Sequence, residues 1–451
     1  MRSFLALAAI VLASAPARAD GPPSAPPAAV EAIFAGIQGA ESPGAAVLVA
    51  RDGRVVLEKA WGLANIELDV PNTTQTRFRI ASVTKPFTAL AVLMLEERGR
   101  LRLDDPVSRY LPEYPHAARL TIRHLLTHTG GLPDFVSVEQ SGEMPLESEP
   151  GTRLGYTNTG YALLGRIVER VAGEPYAAFL AREVFGPLGM RSTGVDHSAA
   201  ILKGRAAGYV RGDDGTLRNV PLGDPGPEPF AGGLSSTVGD LYALVRGLEE
   251  GAVVRPETVE RAWTPVMLPP GRPGAYGFGW MMDTYRGLRE VAHGGDIDGY
   301  NAWLAIYPEA RCTIVVLSNL SMHARMALPT AADIGHRLAD IYLADSLGPA
   351  EVRTVTLEAD TLDRYVGRYR VEAPQTILNV AGDVFTITRE GERLMGQDRT
   401  MKAPLRAESE TVFASTVAPI TITFVVDGSG RASEAIVSLA RLREFRIVRI
   451  E

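Results

Sequence analysis

Cysteine is almost absent: Cys312 is the only one in 451 residues, so no internal disulfide is available to the fold. It stands in the run Cys-Thr-Ile-Val-Val-Leu, where a buried strand holding a small core hydrophobe is a better reading than a reactive thiol. Lysine is nearly as scarce. Lys59, Lys85, Lys203 and Lys402 stand against 42 arginines, so a lysine in apolar surroundings points to chemistry that a guanidinium cannot perform. There is no cluster of basic residues and the net charge is −7, which excludes a nucleic-acid partner. Apolar runs are short as well: the longest, 4–15, has too few residues to cross a bilayer, so no transmembrane anchor is expected. What remains, 46% hydrophobic and 22% charged residues, is ordinary globular composition and excludes disorder, collagen and coiled coil.

The apolar run follows Arg2 and precedes Ala17-Arg18-Ala19, a small-x-small cleavage pattern. Residues 1–19 therefore read as an export signal, with the mature chain starting at Asp20 in the periplasm or outside the cell. Next, 28–37 reads as a helix and 45–60 as a hairpin around Asp52-Gly53. From 82 to 98, Phe87, Leu90, Ala91, Met94 and Leu95 keep helical spacing while Val92 and Leu93 cover the other side, so this helix should be buried on most faces. Further helices are expected at 122–127, 159–172, 176–184, 238–248 and 331–344, and paired strands at 300–307 and 312–318. This describes one mixed α/β domain over 20–350, in which early and late strands share a sheet. The remainder, 351–451, is all-β: 365–371, 377–379, 384–388, 411–415, 420–426, 435–438 and 445–450 are short alternating segments. A small closed barrel or lipocalin-like meander is expected there, serving access, stability or association rather than chemistry.

Three short constellations can carry chemistry. In Ser82-Val83-Thr84-Lys85 the two polar side chains lie one turn apart on the same helix face and can touch. An ammonium among apolar neighbours loses its hydration, its pKa falls, and the free amine can take a proton from the serine; the alternative is a capping serine beside a solvated lysine. Tyr156-Thr157-Asn158 lies in a Gly-rich turn before a helical stretch, where a cation such as Lys85 would favour phenolate and Asn158 could donate to a carbonyl. A capping asparagine beside a packed tyrosine is the plainer alternative. His293-Gly294-Gly295-Asp296 precedes a strand, with glycines that allow close backbone approach, although a histidine beside two glycines is commonly only a turn residue. His124 and His128, four apart, are read as packing: no glutamate follows His124 and no third ligand is evident, so no metal or other cofactor is called for. The Gly-x-Ser-x-Gly elbow is missing.

Taken in order, Ser-x-x-Lys, Tyr-x-Asn and His-Gly-Gly make a three-part pattern that resembles the serine β-lactamase-like superfamily, in its class C β-lactamase, family VIII esterase and penicillin-binding branch. The stretch Ile122-Arg123-His124-Leu125-Leu126-Thr127-His128-Thr129-Gly130-Gly131-Leu132 and the run Gly232-Gly233-Leu234-Ser235-Ser236-Thr237 are similar too, so the resemblance covers about 28–345. It implies an antiparallel sheet with a helical region, Ser82 as acylated nucleophile, Lys85 and Tyr156 sharing proton transfer, and Asn158 positioning the acyl ester or amide. Oxyanion donors would be the backbone N–H groups of Ser82 and Asp296. His293 stands where true β-lactamases usually carry the lysine of Lys-Thr-Gly, so the resemblance implies hydrolysis of a small-molecule or peptide-like ester or amide, with weak or no β-lactamase activity. A second reading is a non-catalytic penicillin-binding, sensor or scaffold protein on the same fold. If His293 has an unperturbed pKa, anionic substrates should gain as pH falls below about 6.5.

Overall fold

The apolar stretches at the two ends of the first domain pair because each is buried on both faces. Strands β1 (Ala45–Arg51), β2 (Arg54–Trp61), β3 (Met281–Tyr285), β4 (Leu288–Ile297), β5 (Tyr300–Tyr307) and β6 (Cys312–Ser318) form one antiparallel sheet in the order β3-β4-β5-β6-β1-β2. The pairing of β1 with β6 sets Val47 opposite Val316 and Leu48 opposite Val315. Alternation then sends Ala46, Leu48, Leu304, Ile306, Val315 and Leu317 to one core, and Val47, Val49, Ala305, Ile314 and Val316 to the other. The second core is closed by helices α1 (Ala28–Phe34) and, from the end of the domain, Ala331–Tyr342, through Phe34 and Leu338. Cys312 lies in this core, and burial pushes its thiol up to about 12, which makes it inert.

The first core is filled from the helical region: α2 (Lys85–Glu97), α3 (Asn158–Ala172) and α4 (Val238–Glu249). Every residue of α2 from Lys85 to Leu95 is buried, as its two-sided apolar pattern requires. The helix begins later than its spacing suggests, because Ala81–Thr84 is a 3-10 turn and Ser82 lies inside it. The computed structural model describes residues 28–37, 41–134, 137–212, 214–224, 228–321, 330–349, 354–372, 383–399, 401–440 and 442–451. The export segment, the boundary at 350/351 and the strand expected at 377–379 lie outside these residues. Among the described residues, no helix is long and apolar enough to cross a membrane.

The C-terminal part is a closed barrel of eight antiparallel strands running from Gly367–Glu372 to Arg443–Arg449, lined by Tyr365, Tyr369, Phe413 and Phe424. Two of its strands, Arg393–Gln397 and Lys402–Ala407, were not expected. Their inward positions are Leu394, Gly396, Ala403, Leu405 and Ala407, mostly small, and Pro404 lies within the second strand, so neither has a clear alternating apolar pattern. The fold is thus mixed α/β with an antiparallel sheet, a helical region and a barrel.

Close packing links α3 to α2. A Cβ on Gly165 would fall 2.0 Å from Phe230 Cγ, and the neighbouring Ala231 carbonyl accepts from Lys85. Gly165→Ala should therefore lower stability by about 1–3 kcal/mol, overpacking outweighing the gain in helix propensity. A shift of the urea midpoint to lower concentration would show this, and an unchanged or raised midpoint would refute it.

Candidate active site

Ser82 is held by an unusual backbone. The preceding Ala81 has φ +46°, a left-handed conformation that costs a non-glycine residue roughly 1–2 kcal/mol, and it presents Ser82 at the end of α2. Lys85, fully buried, reaches back: Nζ lies 3.1 Å from Ser82 Oγ, 2.8 Å from Asn158 Oδ1 and 3.0 Å from the Ala231 carbonyl. The last two partners can only accept. A neutral amine therefore donates its two protons to them and turns its lone pair on the serine hydroxyl. Burial lowers the Lys85 pKa to about 7, with Asp134 pulling the other way. Lys85 also sits over the rings of Tyr156 and Tyr161, at 4.7 and 5.6 Å.

Tyr156 comes to the same serine from the opposite side, and its hydroxyl is hydrogen-bonded to Ser82. Burial pushes its pKa well above the ordinary phenol range, the Ser82 contact only partly offsetting this. The expectation that Lys85 favours phenolate therefore fails, because burial of the phenol itself is the larger effect and Lys85, lowered to about 7, is a weakened cation. Asn158 is not only a cap: the side chain that caps α3 belongs to Thr157, which accepts from Thr159 N–H, and this leaves Asn158 Oδ1 to Lys85. The Tyr156 segment is wedged between two supports. On one side Gly155 N–H donates to the His128 carbonyl, Thr157 N–H to His128 Nδ1, and Thr157 and Thr159 hydroxyls to the Pro133 carbonyl. On the other side stands the barrel. Tyr156 N–H donates to the Leu442 carbonyl, Glu444 N–H to the Leu154 carbonyl, and Arg443 to both the Tyr156 carbonyl and Asp134. These contacts bring the barrel to the backbone of the Tyr156 segment.

Strand β4 supplies the third wall. Its partner β3 pairs only as far as Ala292, so the outer edge of 293–297 is free to lie against the Ser82 turn. Gly295 is required there, since a Cβ would stand 2.1 Å from the Ile80 carbonyl. The room it makes is taken by the protein's own Ser82 turn rather than by substrate. Gly294 faces Trp303 on the other side of the sheet, and Asp296, exposed, accepts from Asn301 Nδ2. What these two positions can offer the site is backbone. His293 is 1% exposed, not at the lip; Nδ1 donates to the Gly294 carbonyl and Nε2 accepts from the Tyr276 hydroxyl at 2.8 Å. Burial, with Lys85 adding to it, lowers its pKa to about 3. The expected gain for anions below pH 6.5 is thereby removed.

Sequence reasoning missed Tyr276, Asp134 and Arg443, and took His128 for packing alone. His128 is buried against the rings of Tyr156, Tyr161 and Tyr276, with centroids 4.3–5.0 Å apart. His124 does something else, since its Nδ1 accepts from Thr121 N–H at the start of the helix Ile122–Leu126. Among the described residues, no group of histidine, cysteine and carboxylate side chains could hold a metal. A cavity of about 650 Å³ lined by Arg79, Asp196, Gly232, Gly233, Ile297 and Asp298 lies near the Ser82 turn, where Gly232 approaches Ala81, but its lining does not include Ser82, Lys85 or Tyr156.

The family model described as Beta-lactamase matches residues 30–336. The chain is 30% identical over 416 residues to a penicillin-binding protein of Bacillus subtilis, an alignment covering 84% of this chain and 89% of that one. It is similar in structure to a D-amino acid amidase of Ochrobactrum anthropi solved with L-phenylalanine amide, with TM-score 0.61 and 25% identity over 70% of this chain and 99% of the other. An octameric penicillin-binding protein homologue from Pyrococcus abyssi shares the fold, with TM-score 0.61 and 23% identity over 93% and 98% of the two chains.

The depressed Lys85 pKa has a thermodynamic signature. Between about 7 in the folded state and the ordinary value near 10.4, the unfolded chain binds a proton that the folded chain does not. Stability should thus rise with pH across this window, by up to about 1.4 kcal/mol per pH unit, relative to Lys85→Met. Urea unfolding of both proteins from pH 7 to 9.5 checks it, and parallel curves would show Lys85 to be charged in the fold.

Proposed function

Because the chain belongs to the Beta-lactamase family, we propose that this serine hydrolase forms an acyl-enzyme on Ser82 and hydrolyses neutral esters or peptide-like amides. The observation that carries the reading is a buried amine 3.1 Å from a serine hydroxyl, with Asn158 Oδ1 and the Ala231 carbonyl as its other acceptors; once deprotonated, it has its lone pair left for that hydroxyl. Ser82 attacks the carbonyl and passes its proton to Lys85, whose pKa, lowered by burial to about 7, makes free amine available at neutral pH. Negative charge on the tetrahedral intermediate is met by the backbone N–H groups of Ser82 and Asp296. Tyr156 delivers its phenol proton to the leaving group and is reprotonated by the proton Lys85 took from Ser82, so the acyl-enzyme is left with Lys85 as free amine and Tyr156 as phenol. Water then attacks the ester by the reverse relay.

Substrate choice follows from His293. Where a lysine would hold a carboxylate, this site presents a neutral imidazole locked to Tyr276, so uncharged acyl groups suit it and cephalosporins do not. Similarity to an amidase solved with an amino-acid amide supports the amide side of this reading. The signal-like residues 1–19 support export to the periplasm or beyond, with a hydrolase domain over 20–350 and the β domain over 351–451.

Ser82→Ala should abolish labelling by a fluorophosphonate, read by intact mass, with less than about 1 kcal/mol lost from stability. Lys85→Arg should lose about 100-fold or more in kcat, since a guanidinium cannot act as base. Near wild-type turnover in Lys85→Arg would end the proton-relay assignment. For a neutral p-nitrophenyl ester, kcat/KM should rise through pH 7 as Lys85 deprotonates, and His293→Gln should leave the pH dependence of its ratio to a carboxylate-bearing analogue unchanged. A cephalosporin turned over faster than the ester, or a ratio whose pH dependence changes in His293→Gln, contradicts the assignment of His293.

A further inference from the structure

We propose that Arg443, supplied by the C-terminal barrel, is a positioning residue for acylation: it clamps Asp134 to the Tyr156 carbonyl and so holds the Tyr156 hydroxyl and the Asn158 amide on Ser82 and Lys85. The proposal rests on the reading of Ser82 as nucleophile. One guanidinium nitrogen, Nη2, donates to Asp134 Oδ2 at 2.7 Å and to the Tyr156 carbonyl at 2.8 Å. The other carboxylate oxygen of Asp134 accepts from Asn158 N–H at 2.8 Å. The chain between Leu154 and α3 has no regular structure of its own, and its backbone is fixed by these bonds, by the Leu442 and Leu154 carbonyls, and by His128 and Pro133. Residues 309 apart in sequence thus set where the phenol and the amide stand.

The pair is buried, with 15% of the Arg443 side chain and 3% of Asp134 exposed. Removing the cation leaves a carboxylate with no answering charge, which must draw back from Asn158 or hold its charge near Lys85. Either outcome is read at Lys85. The groups that face this amine are Asp134, the neutral rings of His128 and His293, the phenols of Tyr156 and Tyr161, and Ser82; Glu147, raised to about 7 by burial, and Arg153 lie around Arg443. Of these, Asp134 favours the ammonium, and Arg443 is the cation bonded to it.

Full-length Arg443→Met, Arg443→Lys and Arg272→Gln are compared with wild type for ester turnover and for the rate of Ser82 labelling. Arg272→Gln breaks the neighbouring pair with Glu444 and touches neither Asp134 nor Tyr156, so it reports on barrel docking alone. Arg443→Met should lose about 10- to 100-fold in kcat with KM within about threefold, because the substitution displaces reacting groups and leaves the substrate-binding surface in place. The acid limb of kcat/KM should move up by about half to one pH unit as Asp134 stabilises the ammonium. Arg443→Lys should restore most of the limb and part of kcat, and Arg272→Gln should leave both unchanged. Should Arg443→Met fail to fold, kcat in Arg443→Lys decides: a kcat equal to wild type, or a loss that Arg272→Gln reproduces, overturns the proposal. Labelling of Arg443→Met at the wild-type rate, or an Arg272→Gln that reproduces loss and shift together, also overturns it. A wild type that takes no label on Ser82 removes the functional reading and this proposal with it.

Discussion

An amine walled off from water must either find a counter-charge or give up its proton, and Lys85 at the head of α2 has neutral partners on every bond. The ordinary cost of burying an isolated ammonium is at least several kcal/mol, which is why the proton leaves near pH 7 instead of near 10. Much of the domain serves this burial. The helix is buried from Lys85 to Leu95, with α3 and the turn at Phe230–Ala231 packed against it, while α4 packs on the β1 and β6 strands of the sheet. The strained Ala81 then turns the serine back onto the amine. Destabilising local features at Ala81 and Lys85 are held in place by a core that packs well everywhere else, as expected where chemistry and stability compete.

The barrel enters the same arrangement through one hairpin tip. Its own core is complete, and closure leaves its strands no open edge to share. Contact with the hydrolase domain is therefore made by residues at a turn. Leu442 packs onto the main core, Glu444 pairs with Arg272, and Arg443 reaches Asp134. A buried ion pair is weak evidence for stability, since desolvation cancels much of its attraction. Its value here is geometric, for it fixes a loop segment that carries two groups of the candidate site.

How far the sequence foretold this depends on whether the information is local. The sheet strands at 300–307 and 312–318 match β5 and β6 residue for residue, because strands buried on both faces read as continuous apolar runs. Helix α2 was legible from its two-sided pattern, and Ser82, Lys85, Tyr156 and His293 were legible as motifs whose members meet in space. Tyr276, Asp134 and Arg443 were not, because each is an ordinary residue in a loop or at a strand end whose meaning comes only from a partner far along the chain. The exposure of His293 was misjudged for the same reason. Two glycines beside it suggested a lip, whereas Gly295 is small so that the Ile80 turn can close over the strand.

That closure settles how many protons the site can store. His293 donates from Nδ1 to the carbonyl of its own neighbour, so in the neutral ring Nε2 must accept, and the Tyr276 hydroxyl supplies that hydrogen bond. Protonating the imidazole would set two donors face to face with Tyr276 unless the phenol turned away, a penalty added to that of burial. His128 is likewise held neutral by burial, and the phenols of Tyr156, Tyr161 and Tyr276 are all pushed up. Around Ser82, then, Lys85 is the group that titrates near neutrality while its neighbours keep fixed protonation states. A site built this way offers a departing or arriving proton one destination, and at the Ser82 hydroxyl itself the cation an anionic substrate would meet is Lys85, since Arg79 in the neighbouring cavity is already paired with Asp196. Pairing that amine with a carboxylate would hold it as ammonium and remove the base. Under the proposed chemistry, neutral substrates are therefore the ones whose binding leaves the catalyst intact.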